Sequence, residues 1–179
     1  VAALTDIETY IDGARLAGIA LRISQASRVF VFGRGNAEPL SSLLNRRLRR
    51  YGIDSRQLSG DMRDLAEQAV GFRKGDLVLA FAFRGPPKGY APLLEAAHQV
   101  GAATIVISGQ NGPTLHPQPD DLIAVSRGGE QDEFQTLTVP MLICNVIILE
   151  LGNIHKNKSL ATLARLRSVI KKFENEDSN

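Results

Sequence analysis

The sequence predicts an α/β fold in which a five-stranded parallel sheet is flanked by helices. Two observations predict it. Short β-rich or continuously apolar runs recur along the chain, and segments of about 10 to 15 residues with helical spacing separate them. A run that is apolar on both faces is typical of a central parallel strand. The five predicted strands are VFVF at 29–32, IDSRQL at 53–58, LVLAFAF at 77–83, ATIVIS at 103–108 and DLIAVS at 121–126.

Helical spacing marks the segments around these strands. Near the start, Ile7, Ile11, Ala14, Gly18 and Leu21 recur at steps of four and three, which is one face of an amphipathic helix over residues 6–25. Further helices are predicted over 40–52 and from a capping box at Asp61 and Asp64. Another begins near Tyr90 and ends at Gly101. The last two are predicted over 133–152, with a kink at Pro140, and over 159–173, with Ser159 as N-cap.

The chain is interpreted as one domain spanning residues 1–179, because 179 residues suit one sizeable core and are too few for two. Within it we expect an N-terminal helix in 1–27, an α/β core in 28–152, and a C-terminal helix and polar tail in 153–179. The apolar face of the last helix is predicted to comprise Leu160, Leu163, Leu166, Val169, Ile170 and Phe173.

Composition excludes several classes of protein. Hydrophobic residues make up 44% and charged residues 22%, which is typical of a globular protein rather than a disordered one. No apolar run approaches the roughly 18 to 20 residues that a membrane span needs, so we expect a cytoplasmic protein without a membrane partner. Cys144 is the single cysteine and lies in the apolar segment MLICNVIILEL, which indicates a core residue and excludes an intrachain disulfide.

The charge balance and the placement of the histidines limit the kinds of partner that the domain can bind. The 21 basic and 19 acidic residues are too balanced for the whole domain to bind a polyanion. The three histidines have no metal-ligand spacing, and we expect neither a metal nor a cofactor. One basic segment, NRRLRRYG at 45–52, ends a predicted helix, where cations oppose the negative end of the dipole. A subunit or nucleic-acid contact is the alternative there.

The candidate site follows from the fold class, since ligands of open parallel sheets bind beyond the carboxyl ends of the strands. Four turn-forming loops are predicted at that edge, and three of them carry arginine or lysine, which favours a small anionic ligand. Neither a complete dinucleotide fingerprint nor a P-loop is present. The candidate ligand-binding residues are Gly33, Arg34, Gly35, Asn36, Arg84, Gly85, Lys88, Ser108 and Glu130.

The segments VFVFGRGN, KGDLVLAFAFRG and AAHQVGAATIVIS, with their spacing, resemble the sugar isomerase (SIS) domain over residues 20–150 or so. The resemblance implies a parallel sheet of flavodoxin-like order, a dimer or tetramer, and a phosphosugar at the carboxyl edge. The final segment NKSLATLARLRSVIKKF further resembles the close of RpiR-type transcriptional regulators. Their helix-turn-helix domain precedes the SIS domain. Because the chain starts at Val1, we expect that domain to be missing here, and DNA to be contacted only through it.

The family's phosphate loop, Ser-x-Ser-Gly-x-Thr, falls on Ala82 to Pro87, and only Gly85 matches it. A methyl group, a guanidinium and an imino ring replace three hydroxyl donors. Arg84 either grips the anion with two charge-assisted hydrogen bonds or points to solvent or toward Glu130 or Asp132. The family's first loop, Gly-x-Gly-x-Ser, falls on Gly33, Gly35 and a residue near Asn36 or Ala37.

Three functions follow from this resemblance. The first is a sugar-phosphate-sensing, oligomerising effector domain of an RpiR-like regulator, which is not an enzyme. The second is a phosphosugar isomerase, with Glu130 or Glu133 as the base and Arg34 or Arg84 as the phosphate anchor. The third is a degenerate scaffold that only dimerises, through the apolar 133–152 helix and its neighbours. The altered loop weighs more against the isomerase, because an enzyme must hold its substrate within tight geometric limits.

Overall fold

The computed structural model describes residues 12–110, 112–125, 135–154 and 156–176. It confirms the predicted α/β class, with five parallel strands and helices on both faces of the sheet. In chain order the elements are α1 Gly13–Gln25, β1 Val29–Phe32, α2 Glu38–Arg50, β2 Ser55–Leu58, α3 Met62–Ala69, β3 Leu77–Ala82, α4 Tyr90–Val100, β4 Ala103–Ser108, β5 Asp121–Ala124, α5 Thr138–Ile154 and α6 Lys156–Glu176. Short 3-10 turns occupy Gly35–Ala37 and Gly112–Thr114.

The strands are ordered β2-β1-β3-β4-β5, which is the flavodoxin-like order that the resemblance implied. All four pairings are parallel, with Phe32 of β1 opposite Leu58 of β2 and Ala80 of β3. The chain leaves β1 toward β2 on one side and returns to β3 on the other. The order therefore reverses between β1 and β3, where a doubly wound sheet opens a crevice for ligands.

Each face of the sheet packs its own hydrophobic core, because side chains alternate across every strand. Val29, Val31 and Phe81 point to the core formed with α1, α2 and α5, while Phe30, Phe32 and Ala82 point to the core formed with α3 and α4. β3 is buried along its whole length, as its unbroken apolar sequence predicts.

The predicted buried face of the first helix is wrong. α1 buries Leu16, Ile19, Ala20 and Ile23, while the described members of the predicted face, Ala14, Gly18 and Leu21, are exposed. Ile7 and Ile11 lie outside the described residues. The observed face carries the larger side chains, and burial free energy grows with the apolar area removed from water. The predicted face is regularly spaced, but its small residues can bury little apolar surface area.

The two C-terminal helices differ from prediction at their starts. α5 begins at Thr138, so Pro140 lies in its first turn, where its missing N–H costs nothing and no kink is needed. Residues 133 and 134 lie outside the described part of the chain. α6 begins at Lys156, so Ser159 is inside the helix and is not its N-cap. The apolarity of α5 is satisfied within the chain, because Ile143, Ile147 and their neighbours are buried.

Three other local predictions, on the N-cap of α3, the end of α4 and the burial of Cys144, are confirmed. Asp61 and Asp64 form the capping box at the start of α3, and Gly101 ends α4 in the left-handed conformation, with φ 72°. Cys144 is buried, and this burial raises the pKa of its thiol to about 12. Across the described segments of the chain, no helix combines the length and apolarity of a membrane span.

Candidate functional site

The candidate site lies at the carboxyl edge of the sheet, where the loops after β1 and β3 flank the reversal of strand order. Phe32, the last residue of β1, pairs with Ala80, so β3 continues through Phe81 and Ala82 beside the loop that starts at Gly33. β4 ends level with β3, because Ala82 pairs with Ser108. The predicted loops after three adjacent strands are thus brought to one edge.

The loop after β1 needs its two glycines for different reasons. A Cβ at Gly33 would lie 2.7 Å from the carbonyl oxygen of Ala37, so only glycine allows the start of α2 to approach the strand this closely. Gly35 has open space around it but a φ of +57°, the left-handed region that glycine adopts without strain. The backbone N–H of Glu38 donates to the carbonyl of Gly35. The loop is therefore a fixed tight turn, with Gly35 and Asn36 exposed at its tip.

Arg34 is braced toward β2. Its Nη2 donates to the carbonyl oxygen of Gly60 at 2.6 Å, in the loop that follows β2. The backbone N–H groups of Asp64 and Arg63 lower the pKa of the neighbouring Asp61, and the charge of Arg34 lowers it further. Arg34 therefore brings positive charge to the edge from the β1–β2 side of the crevice.

The loop after β3 brings charge from the other side. Arg84 and Lys88 are both exposed. Between them Pro86 and Pro87 have no N–H to donate to an anion. Gly89 caps α4 with a φ of +94°, and a Cβ there would lie 2.8 Å from Leu65 Cδ1. This loop is held against α3 at its far end.

The first turn of α4 offers few backbone donors to a ligand. Its first residue, Tyr90, donates its N–H to the carbonyl of Pro87 at 2.9 Å. Its third residue, Pro92, has no N–H, and Leu93 donates to Gly89. At most the N–H of Ala91 is left in that turn for an anion. Side-chain charge must therefore supply most of the attraction for an anion at this helix.

Ser108, a further predicted residue, ends β4 at this edge. Ser108 is fully buried, and its hydroxyl donates to the carbonyl of Gly109 at 2.8 Å. A Cβ on Gly112 would fall 2.1 Å from the Ser108 oxygen, so the following turn closes over this hydroxyl. Glu130 lies outside the described residues, as do the alternative base Glu133 and the possible Arg84 partner Asp132.

Sequence reasoning missed Tyr90 as a fixed point of this edge. Its side chain is fully buried, its hydroxyl donates to the carbonyl of Pro117 at 2.9 Å, and burial raises its pKa to about 12. Tyr90 thus ties the start of α4 to the loop before β5. One sequence feature could have indicated this role. Tyr90 is a large amphipathic residue at the first position of a helix, and two prolines and a glycine precede it.

The described residues contain no cluster of histidine, cysteine or carboxylate side chains that could hold a metal ion. Within the described part of the edge, the loops after β1 and β3 each carry an arginine, the second also carries Lys88, and few hydroxyl or amide donors are available. That inventory suits a small ligand with concentrated negative charge.

No protein-family model and no curated protein sequence matches the chain. Solved structures do match its fold. The sugar isomerase domain of an RpiR transcription factor from Sphaerobacter thermophilus superposes with a TM-score of 0.84, at 16% identity over 93% of both chains. The Vibrio vulnificus NanR protein, complexed with ManNAc-6P, superposes at 0.81 with 19% identity, over 96% of this chain and 66% of NanR.

A Methanococcus jannaschii protein, with an inferred function of 3-hexulose-6-phosphate isomerase, superposes at 0.66 with 17% identity over 92% of this chain and 90% of that one. At such identities a likeness establishes the fold and not the ligand. Superposition over more than 90% of this chain, at TM-scores of 0.66 to 0.84, nonetheless agrees with this group of structures. The chain therefore has the fold of the sugar isomerase domain, as the resemblance in its sequence implied.

Proposed function

We propose that the chain is the sugar-phosphate-sensing, oligomerising effector domain of an RpiR-like bacterial transcriptional regulator. The observation that carries the proposal is the pair of cationic loops, with Arg34 and Arg84, on the two sides of the crevice of a sugar isomerase fold. A phosphate group can accept two hydrogen bonds from one guanidinium. The neutral part of a sugar would then lie over the exposed turn at Gly35 and Asn36.

Two of the structural likenesses support this choice. The RpiR domain matches over 93% of both chains. The chain spans only 66% of NanR, which is consistent with a sensing domain that works beside a further domain in a longer protein. DNA would then be bound by that further domain, and this chain would contribute the sensing and the assembly.

Sensing requires the ligand to distinguish two states of the assembly. A ligand shifts an equilibrium only by its differential affinity for the two arrangements. Arg34, fixed to Gly60 on the β2 side, and Arg84, before α4, belong to the two loops that flank the crevice. An anion bound by both arginines would favour the arrangement in which their two loops are closest. The attached DNA-binding domains would respond to this change in arrangement.

A thermal-shift series tests the proposal. The chain is heated with N-acetylmannosamine 6-phosphate, other hexose and pentose phosphates, the unphosphorylated sugars, and inorganic phosphate as the charge control. At 100 times its dissociation constant a ligand adds about 2.7 kcal/mol, which raises the melting temperature by roughly 5 to 10 °C. We expect a sugar phosphate to give this shift and its unphosphorylated form to give none. A flat response to every phosphorylated sugar would sink the proposal.

The isomerase remains the second candidate, favoured by the likeness to the Methanococcus jannaschii protein. An aldose–ketose isomerase moves a proton between adjacent sugar carbons, so turnover in deuterated water labels the sugar at one carbon. The chain is an enzyme if the sugar phosphate that raises the melting temperature also gains deuterium, and if Glu130→Gln or Glu133→Gln abolishes this labelling. A sensor binds the same sugar phosphate and leaves it unlabelled.

A further inference from the structure

Two surfaces hold seven of the nine large hydrophobic side chains that are exposed among the described residues. The first, the α6 stripe, consists of Leu160, Val169, Ile170 and Phe173. The second, the α3–α4 groove, has exposed Met62, Val70 and Val100 at its walls. Concentrated apolar exposure of this kind marks contact sites rather than random surface.

The α6 stripe continues a contact that the helix has already begun. In its first half α6 packs on α2 and α5: Thr162 lies against Gly52, and Leu163 and Leu166 are half-buried. The same side of the helix carries Ile170 and Phe173 one to two turns further on, where they are 45% and 66% exposed. The helix thus presents an apolar ridge that the described part of its own chain covers only at one end.

The α3–α4 groove is the concave counterpart. It encloses about 360 Å³ between the two helices, and its lining is mostly apolar. Leu65 and Leu93 form a buried floor, while Ala66, Ala96 and Val70 leave the groove open above it, Val70 being 87% exposed. Small residues in the walls leave room for the large side chains of an incoming helix.

The two surfaces cannot meet within one chain. α3 and α4 pack on the sheet face that carries Phe30 and Phe32, whereas α2 and α5, on which α6 lies, pack on the opposite face. The sheet therefore lies between the groove and the helices that anchor α6. A contact between them requires two copies of the chain.

Their charges are opposite. Between Leu160 and Asn175, α6 carries four basic residues, Arg165, Arg167, Lys171 and Lys172, against the single acid Glu174. The two groove helices, with the N-cap of α3, carry four acidic residues against one arginine, the acids being Asp61, Asp64, Glu67 and Glu95. Two α6 stripes would therefore repel each other, and so would two grooves, whereas a stripe and a groove attract each other.

We propose that the α6 stripe of each chain docks into the α3–α4 groove of a second copy, and that the exchange is reciprocal. Two identical contacts related by a two-fold axis close the assembly as a dimer. The proposal rests on the oligomerising part of the proposed function and gives that part a surface. It is independent of which anion binds at the carboxyl edge.

Light scattering on the 179-residue chain over a concentration series tests it. We expect the wild-type chain to have a mass near twice the 19.4 kDa of one copy. Phe173→Glu on the stripe and Val70→Glu on the groove should each weaken association by at least tenfold, and both side chains are exposed enough for the fold to survive. Leu149→Glu is the matched control, because Leu149 is 65% exposed but belongs to neither surface.

Mixing the two defective variants separates the possible arrangements. The Phe173→Glu chain keeps an intact groove and the Val70→Glu chain an intact stripe, so the mixture regains one contact and should form a mixed dimer that neither variant forms alone. Loss of the dimer by only one variant, or no mixed dimer, would overturn the proposal, since stripe–stripe or groove–groove pairing predicts those results.

The remaining outcomes separate this inference from the function. A monomeric wild-type chain at every concentration overturns both this inference and the oligomerising role. A wild-type dimer that both variants leave intact overturns the inference alone. The thermal shift with sugar phosphates, measured on the same monomeric variants, reports the ligand site independently.

Discussion

Arg28 and Asp76 form a two-point ion pair at the amino edge of the sheet, opposite the candidate site. Arg28 Nε lies 2.9 Å from Asp76 Oδ1 and Nη2 lies 2.6 Å from Oδ2. The carboxylate is only 1% exposed, and it also accepts the backbone N–H of Arg73. The guanidinium stacks 5.2 Å from the Phe30 ring centroid, and the hydrogen bond to Asp76 raises the pKa of Arg28. This pair joins the starts of β1 and β3.

Asp76→Ala should lower the free energy of unfolding by about 3 kcal/mol, because it removes the buried carboxylate that accepts from both the Arg28 guanidinium and the amide of Arg73. Urea unfolding at pH 7 measures the change. The control is Glu67→Ala, which removes an exposed partner of Arg63 and should cost less than about 0.5 kcal/mol. If the two variants lost the same free energy of unfolding, the buried pair would contribute no more to stability than the exposed one.

Gly33→Ala should destabilise the chain by about 1 to 3 kcal/mol, because the added methyl meets the backbone carbonyl of Ala37 at 2.7 Å. Gly18→Ala makes the same change inside α1 with nothing within 4 Å, and helix propensity should then stabilise the chain by up to ~1 kcal/mol. Thermal unfolding of the two variants shows whether each substitution lowers or raises the stability of the chain. A neutral Gly33→Ala would mean that the first loop is less tightly held than the geometry indicates.

Tyr90→Phe should cost about 1 kcal/mol at neutral pH, because the Pro117 carbonyl loses its donor. The pH dependence follows from the raised pKa. Folding holds the pKa of Tyr90 at about 12, above its ordinary value of 10, so its contribution is complete below pH 10 and is lost as pH rises toward 12. The wild-type advantage over Tyr90→Phe should therefore shrink from pH 10 to 12. An advantage that is constant over this range would contradict a buried, neutral phenol.

The sheet was predictable from sequence because a strand buried on both faces must be apolar at every position, as the segment around Leu79 is. The faces of the outer helices were harder. Spacing alone favoured Ala14, Gly18 and Leu21 in α1, while packing buries Leu16 and Ile23, since area and not regularity decides burial. The start of α6 was misplaced for a similar reason, because Ser159 has the chemistry of a cap, whereas the helix begins three residues earlier.

At the candidate site, sequence located the loops but not the directions of their side chains. The turn at Gly33 and Gly35 was predictable because glycine is the residue that such turns need. That Arg34 reaches across to Gly60 and that Tyr90 reaches to Pro117 depends on strand order and on contacts 26 and 27 residues apart. Such long-range partners have no local signal. The same holds for Ser108, whose hydroxyl is closed in by the turn at Gly112.

The most direct measurement is calorimetric titration of a sugar phosphate into the wild-type chain, Arg84→Ala and Arg73→Ala. Both substitutions remove one exposed guanidinium, the first at the carboxyl edge and the second at the amino edge. A charge-assisted hydrogen bond is worth about 1.5 to 3 kcal/mol, so Arg84→Ala should weaken binding roughly 10- to 150-fold while Arg73→Ala leaves it unchanged. Equal affinities for all three chains, or no binding by the wild-type chain, would contradict a sensor built on the β1–β3 crevice.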